Sequence, residues 1–195
     1  HRIYVEPYGG AASVLLRKRR CHAEIYNDLG DEVVNLFRVL RDRAMAERLV
    51  ELLELTPFAR REFDIAYGPI ENPVERARRM IVRSYMGFGS SGAFGAPTGF
   101  RADSNRSGTT PADWAGLPAA YRAIIDRFAG VVIEQRPAID VMHTHDGPAT
   151  LHYVDPPYVT ETRSLGNKWC PKHRYPHEMT DRDHVDLVDA LRGLE

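Results

Sequence analysis

Cysteine is scarce in this sequence. Cys21 and Cys170 are the only two in 195 residues, too few for a disulfide framework, so the expected setting is a reducing compartment. Long apolar runs are missing as well. No stretch approaches the roughly 20 residues needed to cross a bilayer, and no basic-then-apolar leader opens the chain. A cytoplasmic protein with no membrane partner is the expectation. Bulk charge is nearly absent, with a net of −1, and this excludes neither a polyanionic partner nor a small neutral one. The glycine pattern G-x-G-x-x-G is also lacking, so a dinucleotide fingerprint is not there to be read.

Charge is present, but it is unevenly distributed. Thr56 to Thr110 holds eight basic and five acidic residues, whereas Asp140 to Glu195 holds six basic and ten acidic. A nucleic-acid partner would find its basic surface on the earlier region. The length suits one domain, or one domain carrying an insertion. A strand pattern at Ile3–Val5 and a helix finishing at Gly193 lead to the expectation that the chain is cut at both ends from something longer.

The pattern along the chain predicts an α/β fold. Ile3 to Val5 reads as a strand, followed by the turn Glu6-Pro7-Tyr8-Gly9-Gly10-Ala11-Ala12-Ser13. A helix over Val14 to Arg19 closes on basic residues, which suit a helix C-terminus. Ala23 to Tyr26 then reads as a second strand, ending at Asn27-Asp28. Strand, turn, helix and strand make a βαβ unit and predict a largely parallel sheet. Apolar residues recur at helical spacing from Asp31 to Leu55 until Pro57 stops the run. After a helix over Pro73 to Tyr85, the stretch from Met86 to Thr110 is rich in Gly, Ser, Asn and Thr. So long an irregular segment inside an α/β domain points to a functional loop or inserted region. Regular structure resumes with a helix over Ala119–Phe128, a strand over Val131–Glu134 and a helix over Ala138–His145. A strand over Leu151–Val154 follows, and a capping box at Thr180–Asp183 opens a last helix.

Two motifs carry chemistry. In the first, Gly9 and Gly10 let the backbone approach a ligand closely, and Asp28 stands at the end of the next strand, where an acidic side chain commonly accepts ribose hydroxyls. On its own this turn does not separate NAD, FAD and S-adenosylmethionine. The second is Asp155-Pro156-Pro157-Tyr158, directly after an apolar strand. Two prolines fix the backbone and remove two amide donors, leaving carbonyls as acceptors. A carboxylate, an exposed carbonyl and an aromatic face suit a flat group bearing an exocyclic amine. The lone pair of such an amine is delocalised into its ring, as at adenine N6. Accepting both amine hydrogens, at the Asp155 carboxylate and the Pro156 carbonyl, would favour a pyramidal, nucleophilic nitrogen, while Tyr158 stacks on the extruded base.

Glu6 to Ser13, then Asp28, then Asp155 to Tyr158 resemble the Dam-type family of adenine-N6 DNA methyltransferases. The order of the motifs is that of its alpha group, and Thr150 to Tyr158 with His177 to Thr180 is similar to the phage and mobile-element branch. The resemblance covers nearly the whole chain. It implies a Rossmann-like S-adenosylmethionine-dependent methyltransferase fold in a bacterial or phage-infected cell, with residues 1–55 and 114–195 as the catalytic domain. Residues 56–113 are then an inserted, mostly helical target-recognition region. It further implies that Glu6, Pro7, Tyr8, Gly9, Gly10, Ala11, Asp28 and Asp155 bind S-adenosylmethionine, and that Asp155, Pro156, Pro157 and Tyr158 are catalytic. The partner it implies is double-stranded DNA, contacted through Arg101, Asn105 and Arg106, with the protein a monomer or weak dimer. The resemblance places such activity in a restriction-modification setting, with the presence of a partner restriction enzyme left open.

The chain departs from the family pattern at two places. Ala12 stands where a second glycine is usual. Pro137 stands where an Asp commonly binds the cofactor's adenine amine, with Asp140 as the nearby substitute. A metal is not expected, because the sulfonium already activates the methyl group. His143, His145 and Asp146, or Cys170, His173 and His177, lack zinc-site spacing. Two alternatives stay open. One is methylation of another planar amine, such as cytosine N4, RNA or a glutamine side chain. The other is a catalytically inert DNA-binding remnant.

Overall fold

The structure is a computed structural model and describes residues 1–88, 92, 95, 97–102, 110–159 and 177–195. The chain is α/β, and its described residues fall into two compact units, residues 1–30 with 130–195 and residues 31–129.

The first unit is built on a parallel sheet of four strands. These are β1 (Ile3–Glu6), β2 (Ala23–Asn27), β3 (Val132–Glu134) and β4 (Thr150–His152), in the order β3-β2-β1-β4. Ile3 sits opposite both Ala23 and Thr150, and Ile25 opposite Val132. At the centre of the sheet Val5 of β1 and Ile25 of β2 pack with Val141, flanked by Ile3 and Ala23. Helix α1 (Ser13–Arg17) connects β1 to β2 and α7 (Ala138–Thr144) lies between β3 and β4 in sequence. Helix α8 (Asp181–Arg192) opens on the expected box: Thr180 accepts from the Asp183 N–H, and the Asp183 carboxylate accepts from the Thr180 N–H.

The second unit is helical: α2 (Asp31–Arg41), α3 (Arg43–Leu55), α4 (Arg60–Ile65), α5 (Pro73–Met86) and α6 (Thr110–Phe128). The boundaries expected at 56 and 113 fall inside it. Helices α2 and α3 bury Val34, Leu40, Leu49 and Leu53 and pack against α5 and α6, so their apolar faces tie them to this unit. Phe37 stacks on Phe128 with centroids 4.4 Å apart and planes 5° from parallel. Trp114 Nε1 donates to the Thr56 carbonyl at 2.8 Å, buried. Arg78 ties α5 to α4 through Glu62 at 2.9 Å and to its own helix through Glu75 at 2.7 Å.

Two readings change, and one helix went unread. The single helical run from Asp31 to Leu55 is two helices, because Asp42 leaves the helical region and its side chain accepts from the Met45 N–H to cap α3. No element was read over Arg60–Ile65, where the chain forms α4. Helix α6 begins at Thr110 rather than Ala119 and runs through Pro118, which is buried beside Trp114, Leu117 and Tyr121. The burial of these four residues outweighs the backbone bond a helical proline forfeits. Among the described residues, no helix is long and apolar enough to cross a membrane.

Candidate functional site

In a parallel sheet all strands deliver their carboxyl ends to one edge, which is where open α/β sheets place ligands. Here that edge receives the turn after β1, Asp28 after β2, Pro137 after β3 and Asp155 after β4.

The turn is held from three sides. Gly9 N–H donates to the Asn27 carbonyl at 2.7 Å, and Ala12 N–H to the Gly9 carbonyl at 2.7 Å. The Tyr26 hydroxyl donates to the Gly10 carbonyl at 2.7 Å. Gly9 lies against the face of Tyr26, so close that a Cβ would come within 2.2 Å of Cε2. Gly10 has φ +47° and Ala12 φ +53°, both left-handed. Ala12 therefore holds a conformation that glycine adopts without cost and alanine only at about 1–2 kcal/mol. The missing second glycine leaves the turn formed, with this strain in it.

Asp28 closes the turn. Its Oδ2 accepts the Gly10 N–H at 2.8 Å and its Oδ1 the Gly30 N–H at 2.7 Å. Each carboxylate oxygen has a second lone pair, so the group can still accept two further hydrogen bonds. Tyr8 is half-buried, and burial together with the Asp183 carboxylate raises its phenol above the usual value, keeping it protonated. Burial, followed by Asp28 and Glu6, does the same to Tyr26.

Glu6 takes a different position from the one expected. It is 2 % exposed, and its Oε1 accepts both the Tyr4 hydroxyl and the Leu15 N–H at 2.7 Å. The carboxylate thus satisfies a first-turn amide of α1 from beneath, supporting the turn rather than lining its open side. Burial and this carboxylate raise the Tyr4 phenol. Asn27 was missed. Buried to 1 % exposure, it donates to the carbonyls of Pro7 at 2.8 Å and Arg136 at 3.0 Å and accepts the Arg136 N–H at 2.9 Å. One side chain so pins the ends of β1, β2 and β3. An asparagine at a strand end was the available signal.

At β4 the pairing continues one residue further, Tyr153 N–H donating to the Val5 carbonyl at 2.8 Å. The chain then presents Asp155 exposed, Pro156 and Pro157 half-buried and Tyr158 59 % exposed. The Tyr158 hydroxyl reaches Asp155 Oδ1 at 3.5 Å, the outer limit of a hydrogen bond. An exposed carboxylate, a fixed Pro-Pro segment and an accessible aromatic ring stand together at the edge that carries the turn. Pro137 caps α7 without a side-chain acceptor, and Asp140 lies in that helix's first turn.

The chain matches no protein-family model and no curated protein.

The remaining expected residues divide. Arg101 is half-buried in the second unit, its N–H donating to the Met86 carbonyl at 2.7 Å beside the Gly87–Phe100 bridge. Asn105 and Arg106, like Cys170 and His173, lie outside the described residues. Among the described residues, no group of three His, Cys, Asp or Glu side chains could hold a metal ion. His152 sits 3.6 Å from Asp146 with its side chain 9 % exposed. Burial lowers its imidazole below the ordinary histidine value, more than Asp146 raises it.

Proposed function

We propose that this chain is the cofactor-binding and catalytic part of an S-adenosylmethionine-dependent DNA methyltransferase acting on N6 of adenine, with a Rossmann-like methyltransferase fold. One observation carries the reading. The parallel order β2-β1-β4 brings the Gly9–Gly10 turn, Asp28 and the Asp155-Pro156-Pro157-Tyr158 segment to the same edge of one sheet.

The cofactor, when bound, supplies an activated methyl group on a positive sulfonium. The residues here do the rest. Gly9 and Gly10 would admit it to the backbone, the unused lone pairs of Asp28 would accept its ribose hydroxyls, and Tyr8 would shield it from water. Asp155 and the Pro156 carbonyl would accept the two hydrogens of the exocyclic amine, leaving its lone pair free as the nucleophile. The amine would end with one more methyl, given up by the sulfonium as it becomes a neutral thioether, and one fewer hydrogen, that proton passing to Asp155 or to water. Tyr158 stacks on the flipped base. Arg101, Asn105 and Arg106 are the proposed contacts to double-stranded DNA. The favourable geometry lies in the carboxylate at position 155: an Asp accepts without donating, as an amine with two hydrogens requires.

The test is nucleoside mass spectrometry of DNA incubated with the chain and methyl-labelled cofactor. The expected product is labelled N6-methyladenine. Label in N4-methylcytosine, or none in DNA, would overturn the assignment.

A further inference from the structure

The second unit holds a cavity of about 340 Å³ lined by Glu32, Tyr67, Pro69, Ile70, Arg76 and Arg83, within the size range of small-molecule sites. Its charges do not balance. Arg76 Nη2 meets Glu32 Oε1 at 3.0 Å and Arg83 Nη2 meets Oε2 at 2.7 Å. One carboxylate therefore serves two guanidinium groups, and among the described residues one positive charge is left over.

The two arginines are differently committed. Arg83 is 7 % exposed and also donates to the carbonyls of Gly92 at 3.0 Å and Ala66 at 2.7 Å. It forms a fixed wall. Arg76 keeps 31 % of its side chain exposed and donates only through Nη2, so its Nε and Nη1 have no partner among the described residues. Neighbouring charges among the described residues do not cancel it. Arg79 is paired with Glu75 at 2.8 Å and donates to the Gly68 carbonyl at 3.1 Å, and the exposed Glu71 forms no ion pair with Arg76. The remaining wall is aromatic and apolar, with the Tyr67 hydroxyl held at 3.3 Å by Thr98.

We propose that this cavity binds a nucleotide unit, its phosphate on Arg76 and its sugar or base against Tyr67, Pro69 and Ile70. An anionic phosphate matches the unbalanced positive charge, and a guanidinium with N–H donors left over matches phosphate oxygens. The unit comes either free or as part of a DNA strand. The site uses no residue of the glycine turn or of the Asp155 segment, so it stands or falls apart from methyl transfer.

The experiment is calorimetric titration of the whole chain with 5′-dTMP, with inorganic phosphate and with a short DNA duplex. Saturable dTMP binding supports a free nucleotide, and binding of the duplex alone supports a nucleotide within a strand. Arg76→Gln is expected to weaken the bound probe by about ten- to a hundredfold, the value of one charge-assisted contact. Ile70→Trp fills the cavity without touching the guanidinium and is expected to weaken dTMP or duplex similarly while sparing inorganic phosphate. It decides the matter if Arg76→Gln does not fold. Arg48→Gln, which removes an exposed arginine paired with Glu51 on α3, is the charge-matched control and is expected to change nothing. The proposal is overturned if neither dTMP nor the duplex binds, if folded Ile70→Trp binds both as the parent does, or if Arg48→Gln weakens binding as much as Arg76→Gln.

Discussion

Gly9→Ala puts a methyl group where the structure has no room. The new Cβ would lie 2.2 Å from Cε2, 2.5 Å from Cδ2 and 2.9 Å from Cζ of Tyr26. Carbon atoms in contact prefer about 3.5–4.0 Å, so the ring must retreat by more than about 1 Å. Tyr26 is fully buried, and its hydroxyl is tied to the Gly10 carbonyl at 2.7 Å. Retreat therefore strains the core and breaks that bond. Overpacking costs about 1–3 kcal/mol and a lost hydrogen bond about 1 kcal/mol, giving about 2–4 kcal/mol together. For a chain of this length each kcal/mol lowers Tm by about 2–4 °C, so the expected fall is about 4–16 °C. The informative comparison is Gly10→Ala. A Cβ there meets nothing within 4 Å, but φ is +47°, so only the left-handed penalty of about 1–2 kcal/mol applies. Thermal unfolding followed by circular dichroism should rank Gly9→Ala clearly below Gly10→Ala. Equal midpoints, or the reverse order, would refute the steric account of the turn.

Other consequences follow from the same contacts. Asp28→Asn replaces a double acceptor of backbone N–H groups by a side chain with one carbonyl, and calorimetry should show cofactor affinity reduced at least about tenfold, each charge-assisted hydrogen bond contributing about 1.5–3 kcal/mol. Asn27→Leu leaves the Pro7 and Arg136 carbonyls and the Arg136 N–H without their partner, and urea unfolding should register a loss of about 2–4 kcal/mol, the cost of more than one buried unsatisfied group. Trp114→Phe strands the Thr56 carbonyl inside the second unit, with an expected loss of about 1–3 kcal/mol in the same assay. His152 is held below the ordinary histidine value chiefly by burial, so the unfolded chain takes up its proton first. Stability is full above the unfolded value of about 6.5 and falls as pH drops from there toward the lowered folded value. His152→Gln should flatten this part of the stability–pH curve, and an unchanged slope would contradict the burial argument.

The parts of the fold that were legible were those set by local pattern. The β1 and β2 strands, Gly9 and Gly10 between them and the Thr180–Asp183 box are short-range features, and the parallel sheet followed from the βαβ order. The break at Asp42 was invisible because Arg41-Asp42-Arg43 carries neither glycine nor proline, while the apolar spacing continues on both sides. Pro118 misled in the other direction: its local preference marks a boundary, and burial with Trp114 and Tyr121 overrides it. The clamp of Asn27 on Pro7 and Arg136 joins residues 20 and 109 positions apart, a relation no local pattern encodes. Glu6 illustrates the same limit. Its place in the motif was readable, but only the fold shows the carboxylate turned inward to α1 and Tyr4.

The most direct test of the central claim is single-turnover methyl transfer from labelled S-adenosylmethionine to DNA, comparing the parent chain with Asp155→Asn. The substitution keeps the shape at the end of β4 but turns an acceptor into a group that also donates. The account predicts transfer to adenine at saturating cofactor slowed by about 10²–10³-fold, the usual effect of removing one preorganised polar contact to the reacting group. Transfer by Asp155→Asn at the parent's rate, or a parent chain that binds DNA but neither binds nor consumes the cofactor, would contradict it.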